Sequence, residues 1–211
     1  LSGRAVGSQT LKPSRRHALP KSCKPGDASL NDIAKLAEAY RFAADRHVAQ
    51  RRKGEAAEPM MNHLAEVADL VAKATDGSDA DLVMAAVLHD TVEDTDTTFD
   101  EIEARFGARV ASLVAEVTDD KALPWTERKR LQVVNAAHAS HGAKVIKLAD
   151  KVSNLRAMAV SPPLNWSDAR RANYLEWSRQ VVANCRSANR WLEDQFDAAA
   201  AALAARVGLA A

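Results

Sequence analysis

Between His89 and Asp94 the chain places one imidazole and three carboxylates: His89, Asp90, Glu93 and Asp94. They end the apolar run Leu82-Val83-Met84-Ala85-Ala86-Val87-Leu88, which reads as a buried helix. If that helix continues, His89 and Glu93 stand one turn apart, and so do Asp90 and Asp94. Each of two adjacent ridges then carries a potential metal ligand and, a turn further on, an acid. Four ionisable groups at the end of a core helix are costly unless a cation or a substrate uses them, the alternative being a solvated acidic turn.

Three other histidine or aspartate positions matter. His63 follows Pro59-Met60-Met61-Asn62, where a helix is expected to begin, and Asp150 is the acid of the apolar segment Val145-Ile146-Lys147-Leu148-Ala149-Asp150-Lys151. His47 precedes a basic turn, Arg51-Arg52-Lys53. His63, the His89-Asp90 pair and Asp150 together offer two nitrogens and two carboxylate oxygens, a mixture suited to a divalent first-row ion such as manganese or iron, with zinc also admissible. Adjacent helical residues diverge by about 100°, so His89 and Asp90 can share an ion only at a helix end. His63 and Asp150 would close such a site from other helices.

The elements that must position these groups are helical. Hydrophobic residues make up 47% of the 211 positions and aromatic ones only 5%, with alanine abundant, a balance that favours helices over sheet. Ile33, Leu36, Ala37, Tyr40, Ala44 and His47 share one stripe. Residues 62–74, 79–92, 99–106, 108–118, 125–140, 143–158 and 167–206 follow as helical segments. Thr98 with Glu101 has the form of a capping box, Gly107 suits a helix end, and Ser167 suits a helix start. The last segment is expected to break near Ser187-Ala188-Asn189. Residues 1–28, rich in Gly, Ser, Pro, Lys and Arg, read as a flexible tail, and the ordered domain is expected over 29–211, capped by Ser29.

The formal charge of +1 gives no general argument for nucleic-acid or membrane binding, and the basic residues are interleaved with acids. No apolar run reaches transmembrane length. Cys23 and Cys185 lack metal-type spacing, so a reducing, cytoplasmic setting is expected. No pattern in the sequence fixes an oligomeric state.

The set His63, His89-Asp90, Asp150 resembles the HD superfamily of metal-dependent phosphohydrolases. The surrounding residues narrow the resemblance to the hydrolase domain of RelA/SpoT proteins. They include Phe42-Ala43-Ala44 with His47 and Gln50-Arg51-Arg52-Lys53, then Leu88-His89-Asp90-Thr91-Val92-Glu93-Asp94-Thr95 and Glu116-Val117-Thr118-Asp119-Asp120-Lys121. Phe106-Gly107, Arg128-Lys129, Lys147-Leu148-Ala149-Asp150-Lys151 with Asn154-Leu155, and Trp166-Ser167, Arg170 and Tyr174-Leu175-Glu176-Trp177 extend it over about residues 30–207. As no synthetase or regulatory region follows Ala211, the expected relative is a stand-alone small alarmone hydrolase, similar to the metazoan SpoT homologue.

The resemblance implies an all-α, single HD-type domain of about eight to ten helices. It implies removal of the 3′-pyrophosphate from guanosine tetra- or pentaphosphate in the stringent response, with one manganese ion placed ahead of iron and zinc. His63, His89, Asp90 and Asp150 would be the ligands, and Glu93 with Asp94 the catalytic acidic pair that orients or deprotonates a metal-bound water. Arg52 would stack on the base with Lys53 beside it. Lys147, Lys151, Asn154, Arg170 and Tyr174 would contact the nucleotide. His47 is assigned to packing or to support of the site, and Arg128-Lys129-Arg130 to the surface. Where the family usually has Pro-Tyr-Ile-x-His-Pro, this chain has Pro59-Met60-Met61-Asn62-His63-Leu64, and the loop before the helix is expected to loosen. Two alternatives use the same site: removal of a 2′-phosphate from a dinucleotide such as NADPH, or alarmone sensing without catalysis.

Overall fold

The structure, a computed structural model, describes residues 30–208. Ten helices follow one another within them: α1 (Leu30–Arg46), α2 (Met60–Ala74), α3 (Ala80–Leu88), α4 (Thr91–Asp94), α5 (Phe99–Phe106), α6 (Ala108–Val117), α7 (Trp125–His138), α8 (His141–Val160), α9 (Asp168–Ala183) and α10 (Arg190–Arg206). The all-α expectation holds, and among the described residues the one β-type pairing is an isolated bridge between Arg51 and Pro59. The basic tail, Cys23 and the Ser29 cap lie outside the described residues.

Short polar side chains set the helix starts. Asp79, Thr98, Ser140, Ser167 and Asn189 each accept from the backbone amide three residues on, satisfying a donor that the first helical turn leaves free. At Thr98 only half of the expected capping box forms, because the Glu101 carboxylate is engaged by Arg46 at 2.6 Å. Gly107 stops α5 with φ +95°, a conformation that side chains with a Cβ rarely adopt. The break between α9 and α10 falls where expected, with Ser187 at φ +73°.

One boundary differs in a way that matters for the site. The segment 79–92 is not a single helix: α3 stops at Leu88, and α4 is a separate turn. His89 turns its Nδ1 onto the Ala86 carbonyl at 2.8 Å, and Asp90 has φ −96° and ψ −3°, away from helical values. Glu93 therefore does not continue the ridge of α3 that ends at His89, whereas Asp94 stays one turn from Asp90, its amide donating to the Asp90 carbonyl at 2.9 Å.

α3 is buried at every position from Leu82 to Leu88 and packs on α1, α2, α6 and α8. α8 forms a second axis, packed by α2, α3, α6, α9 and α10. Each fully buried Leu or Val on these axes contributes about 1.5–3 kcal/mol over its exposed state, so the two helices are rigid supports. The C-terminal end of α3, the first turn of α2 and the middle of α8 meet at one point.

Candidate active site and metal centre

That meeting point gathers the four ligands expected from the sequence. His63 Nε2 lies 3.3 Å from Asp150 Oδ1 and 3.6 Å from Asp90 Oδ2; His89 Nε2 lies 3.3 Å from Asp90 Oδ2 and 3.9 Å from Asp150 Oδ1. Ligand atoms of His63, His89 and Asp90 all fall within 4.8 Å of one another. The imidazoles meet edge to face with centroids 5.2 Å apart. Since the Ala86 carbonyl can only accept, His89 carries a hydrogen on Nδ1, and Nε2 is the atom turned toward two carboxylates. His89 Nε2 is buried with no hydrogen-bond partner. A buried imidazole nitrogen facing anionic oxygens calls for positive charge between them, a proton in the metal-free chain, and the donor set fits a divalent cation in its place.

The electrostatics of the metal-free cluster express the same demand. Burial opposes charge on His89, yet Asp90 and then Asp150 raise it to about 9. His63 is lowered, by burial first and with its neighbour His89 contributing, so the two rings are not both positively charged. Burial would raise Asp90, but His89 and then His63 draw it down to about 2. Asp150 is also pulled well down, against burial, by Lys151 foremost, whose ammonium sits 2.6 Å from Oδ2.

Glu93 and Asp94 flank this centre on α4, in different environments. Glu93 Oε2 accepts from the Asp119 amide at 3.1 Å, and Oε1 is 3.6 Å from Arg128. Burial, with Asp90, Asp119 and Asp94 adding, pushes its carboxyl up to about 7. Asp94 instead accepts from Gln50 Nε2 at 2.7 Å and from Lys121. His47 makes its contacts to Gln50, at 2.5 Å, and to Thr91, at 3.4 Å, so it supports Asp94 through Gln50.

A cleft of about 380 Å³ opens above the cluster. All seven residues expected to touch a nucleotide line it: Arg52, Lys53, Lys147, Lys151, Asn154, Arg170 and Tyr174. Lys147, Asp150, Lys151 and Asn154 share one stretch of α8 at helical spacing. Arg52 reaches Asn154 Oδ1 at 2.9 Å, and Asn154 Nδ2 donates to Asp150 Oδ1 at 2.5 Å, which links the basic loop to a ligand carboxylate. Arg170 lies over the Trp166 ring at 4.4 Å. Burial pushes the Tyr174 phenol up to about 12.

The basic run Arg128-Lys129-Arg130 does not lie wholly at the surface. Arg130 pairs locally with Glu127, but Arg128 faces Glu93 and Lys129 lines the cleft. The Lys129 ammonium sits 3.1 Å from the Trp177 ring centroid, 5.1 Å from Tyr174 and 5.9 Å from Trp125. Burial, then the neighbouring Lys151, lowers it to about 7. Spacing on α7 alone does not separate Lys129 from Arg130; the signal lay in the aromatic residues of α9, which only the fold brings over it.

Backbone hydrogen bonds pin the loop before α2. Met60 N donates to Gln50 O at 3.1 Å and Arg52 N to Glu58 O at 2.8 Å, while Leu64, standing for the family's proline, is fully buried. The same loop lies on the end of α8: Glu55 N donates to Pro162 O at 3.1 Å and Ala56 N to Ser161 Oγ at 2.9 Å.

Fold and site together define an all-helical domain carrying a candidate divalent-metal centre under a cationic, aromatic cleft. The HD-domain family matches residues 39–174. Human (Homo sapiens) guanosine-3′,5′-bis(diphosphate) 3′-pyrophosphohydrolase MESH1 is 51% identical over 164 residues, covering 78% of this chain and 92% of that protein. A solved structure of a metazoan ortholog of SpoT, described as hydrolysing ppGpp with a role in starvation responses, superposes with a TM-score of 0.77 at 44% identity, over 84% of this chain and 97% of that one. The bifunctional (p)ppGpp synthase/hydrolase SpoT of Escherichia coli is 34% identical over 139 residues, 63% of this chain and 19% of that protein. The chain belongs to the HD-domain family and, within it, to the MESH1 family.

Proposed function

We propose that this protein hydrolyses the 3′-pyrophosphate of guanosine tetra- or pentaphosphate, releasing pyrophosphate and GDP or GTP. The observation that carries the proposal is the convergence of His63, His89, Asp90 and Asp150 on one point, with two further acids beside it and a cationic wall above. His63, His89, Asp90 and Asp150 would hold one divalent ion, manganese in the first instance. The bound ion supplies a water of lowered pKa and charge stabilisation at the phosphoryl oxygens.

The chain's own groups do the rest. Glu93, whose environment places its carboxyl near neutrality, takes the proton from the attacking water. Asp94, fixed by Gln50 and Lys121, orients that water. Arg52 offers a planar guanidinium already held by Asn154 to the base, with Lys53 beside it. Lys147, Arg170, Tyr174 and the newly located Lys129 face the anionic nucleotide, while Lys151 and Asn154 act mainly by holding Asp150. Among the described residues no helix is long and apolar enough to cross a membrane, and the cationic, aromatic lining of the cleft suits a small anionic nucleotide.

The test is product analysis with guanosine tetraphosphate, with manganese added and after chelation. Metal-dependent release of GDP and pyrophosphate is expected. Absence of turnover by the metal-loaded protein, or release of orthophosphate in place of pyrophosphate, overturns the assignment.

A further inference from the structure

A serine and a glutamate behind the cluster connect to one ligand. Ser153 is fully buried on α8, one turn after Asp150, and its Oγ lies 2.9 Å from His63 Nδ1 and 2.7 Å from Glu66 Oε2. Glu66 stands one turn after His63 on α2, and its other oxygen is 3.2 Å from Arg156 Nη1. Arg156 is in turn fixed by Gln195 of α10 at 2.6 Å.

The hydrogen-bond polarity follows from the donor inventory. A carboxylate can only accept, so the Ser153 hydroxyl hydrogen goes to Glu66. The serine oxygen is then left as an acceptor toward His63, and His63 must carry its hydrogen on Nδ1. Its Nε2 is thereby bare and turned to Asp90 and Asp150. His89 reaches the same tautomer by a different route, through the Ala86 carbonyl.

We infer that Glu66 and Ser153 form a relay that fixes the tautomer and orientation of His63 for metal binding, with Glu66 acting as a positioning residue through Ser153. The inference rests on the metal-ligand reading above and is independent of which nucleotide is the substrate. Groups that orient a ligating imidazole typically change metal affinity by about 10–100-fold when removed. Ser153→Ala leaves His63 Nδ1–H without its acceptor. In Glu66→Gln the amide can donate to Ser153, which lets the hydroxyl point at His63 and favours the wrong tautomer.

The experiment is manganese titration of the nucleotide-free protein by calorimetry, with long-range proton–nitrogen NMR of the His63 ring in the metal-free chain and circular dichroism as a check of folding. Manganese affinity is expected to fall about 10–100-fold in both folded variants. The ring nitrogens should show an Nδ1–H tautomer in the wild type and a mixture in the variants. Affinity within twofold of wild type in both variants overturns the relay. Loss in Ser153→Ala with none in Glu66→Gln overturns the part assigned to the glutamate. If guanosine tetraphosphate proves not to be a substrate, both readouts still stand. If the wild type binds no metal, the metal-ligand reading fails, while a wild-type His63 ring protonated on Nε2 overturns the relay itself.

Discussion

Replacing Gly54 by alanine should weaken substrate binding without touching the catalytic groups. Its φ lies outside the left-handed region, so glycine is required there by crowding and not by backbone conformation. A Cβ at this position would stand 2.3 Å from the Ser161 carbonyl oxygen and 2.8 Å from Ser161 Oγ. Real Cβ contacts essentially never fall below 3.0 Å, so loop and helix end must separate by at least the difference, about 0.7 Å. The hydroxyl can rotate aside, but the carbonyl belongs to the backbone. Overpacking of this kind costs about 1–3 kcal/mol, and at about 2–4 °C per kcal/mol for a chain of this size Tm should fall by about 2–12 °C. The separation also moves Arg52 away from Asn154, its partner at 2.9 Å. Losing about 1–2 kcal/mol of guanidinium stacking raises KM roughly five- to thirtyfold. The ligands and acids lie on other elements, so kcat should stay within about twofold. Steady-state kinetics with guanosine tetraphosphate and a thermal melt check this. Unchanged KM and Tm would refute the steric argument, and a fall in kcat alone would refute the division between loop and catalytic centre.

Glu93→Gln keeps the shape of the side chain and removes the base, so kcat should fall about 10²–10⁴-fold with manganese affinity unchanged in calorimetry. Burial puts this carboxyl at about 7 in the metal-free chain, and a cation beside it favours the charged form; the acid limb of the kcat–pH profile should therefore lie at or below pH 7 and disappear in the variant. Asp79→Ala removes the α3 cap and the 2.6 Å contacts to Arg109, which should lower Tm by about 2–8 °C, for a loss of about 1–2 kcal/mol, with kinetics unaffected. Arg109 holds this carboxyl below its ordinary value near 3.8, so its contribution is complete above that pH and is lost as pH falls through the folded value; the gap between wild type and variant should close on acidification. Lys129, lowered to about 7, should take up a proton when a phosphate comes beside it, seen at pH 8 as a buffer-dependent binding enthalpy that Lys129→Gln abolishes along with a rise in KM.

Much of the site was legible before the fold. The apolar run into His89-Asp90 marked a core helix with candidate ligands at its end, and short capping side chains such as Thr98 and Ser167 marked where helices start, because both signals depend on residues close along the chain. The ridge pairing of His89 with Glu93 failed because the His89 ring takes the Ala86 carbonyl and α3 stops there. Glu93 and Asp94 still reach the centre, but from a separate turn.

Neighbouring residues were enough for the helical class of the chain and for the candidate ligand types: helical periodicity says which face of each segment is buried, and the chemistry of His and Asp says what that face can bind. Which faces meet came from the packing of the folded core. It placed Lys129 beneath Trp177, set Gly54 against Ser161, and put Ser153 between His63 and Glu66. Each of these pairs lies far apart along the chain, and helical periodicity is the same whichever helix packs opposite, so contact between faces is settled only when the whole core closes.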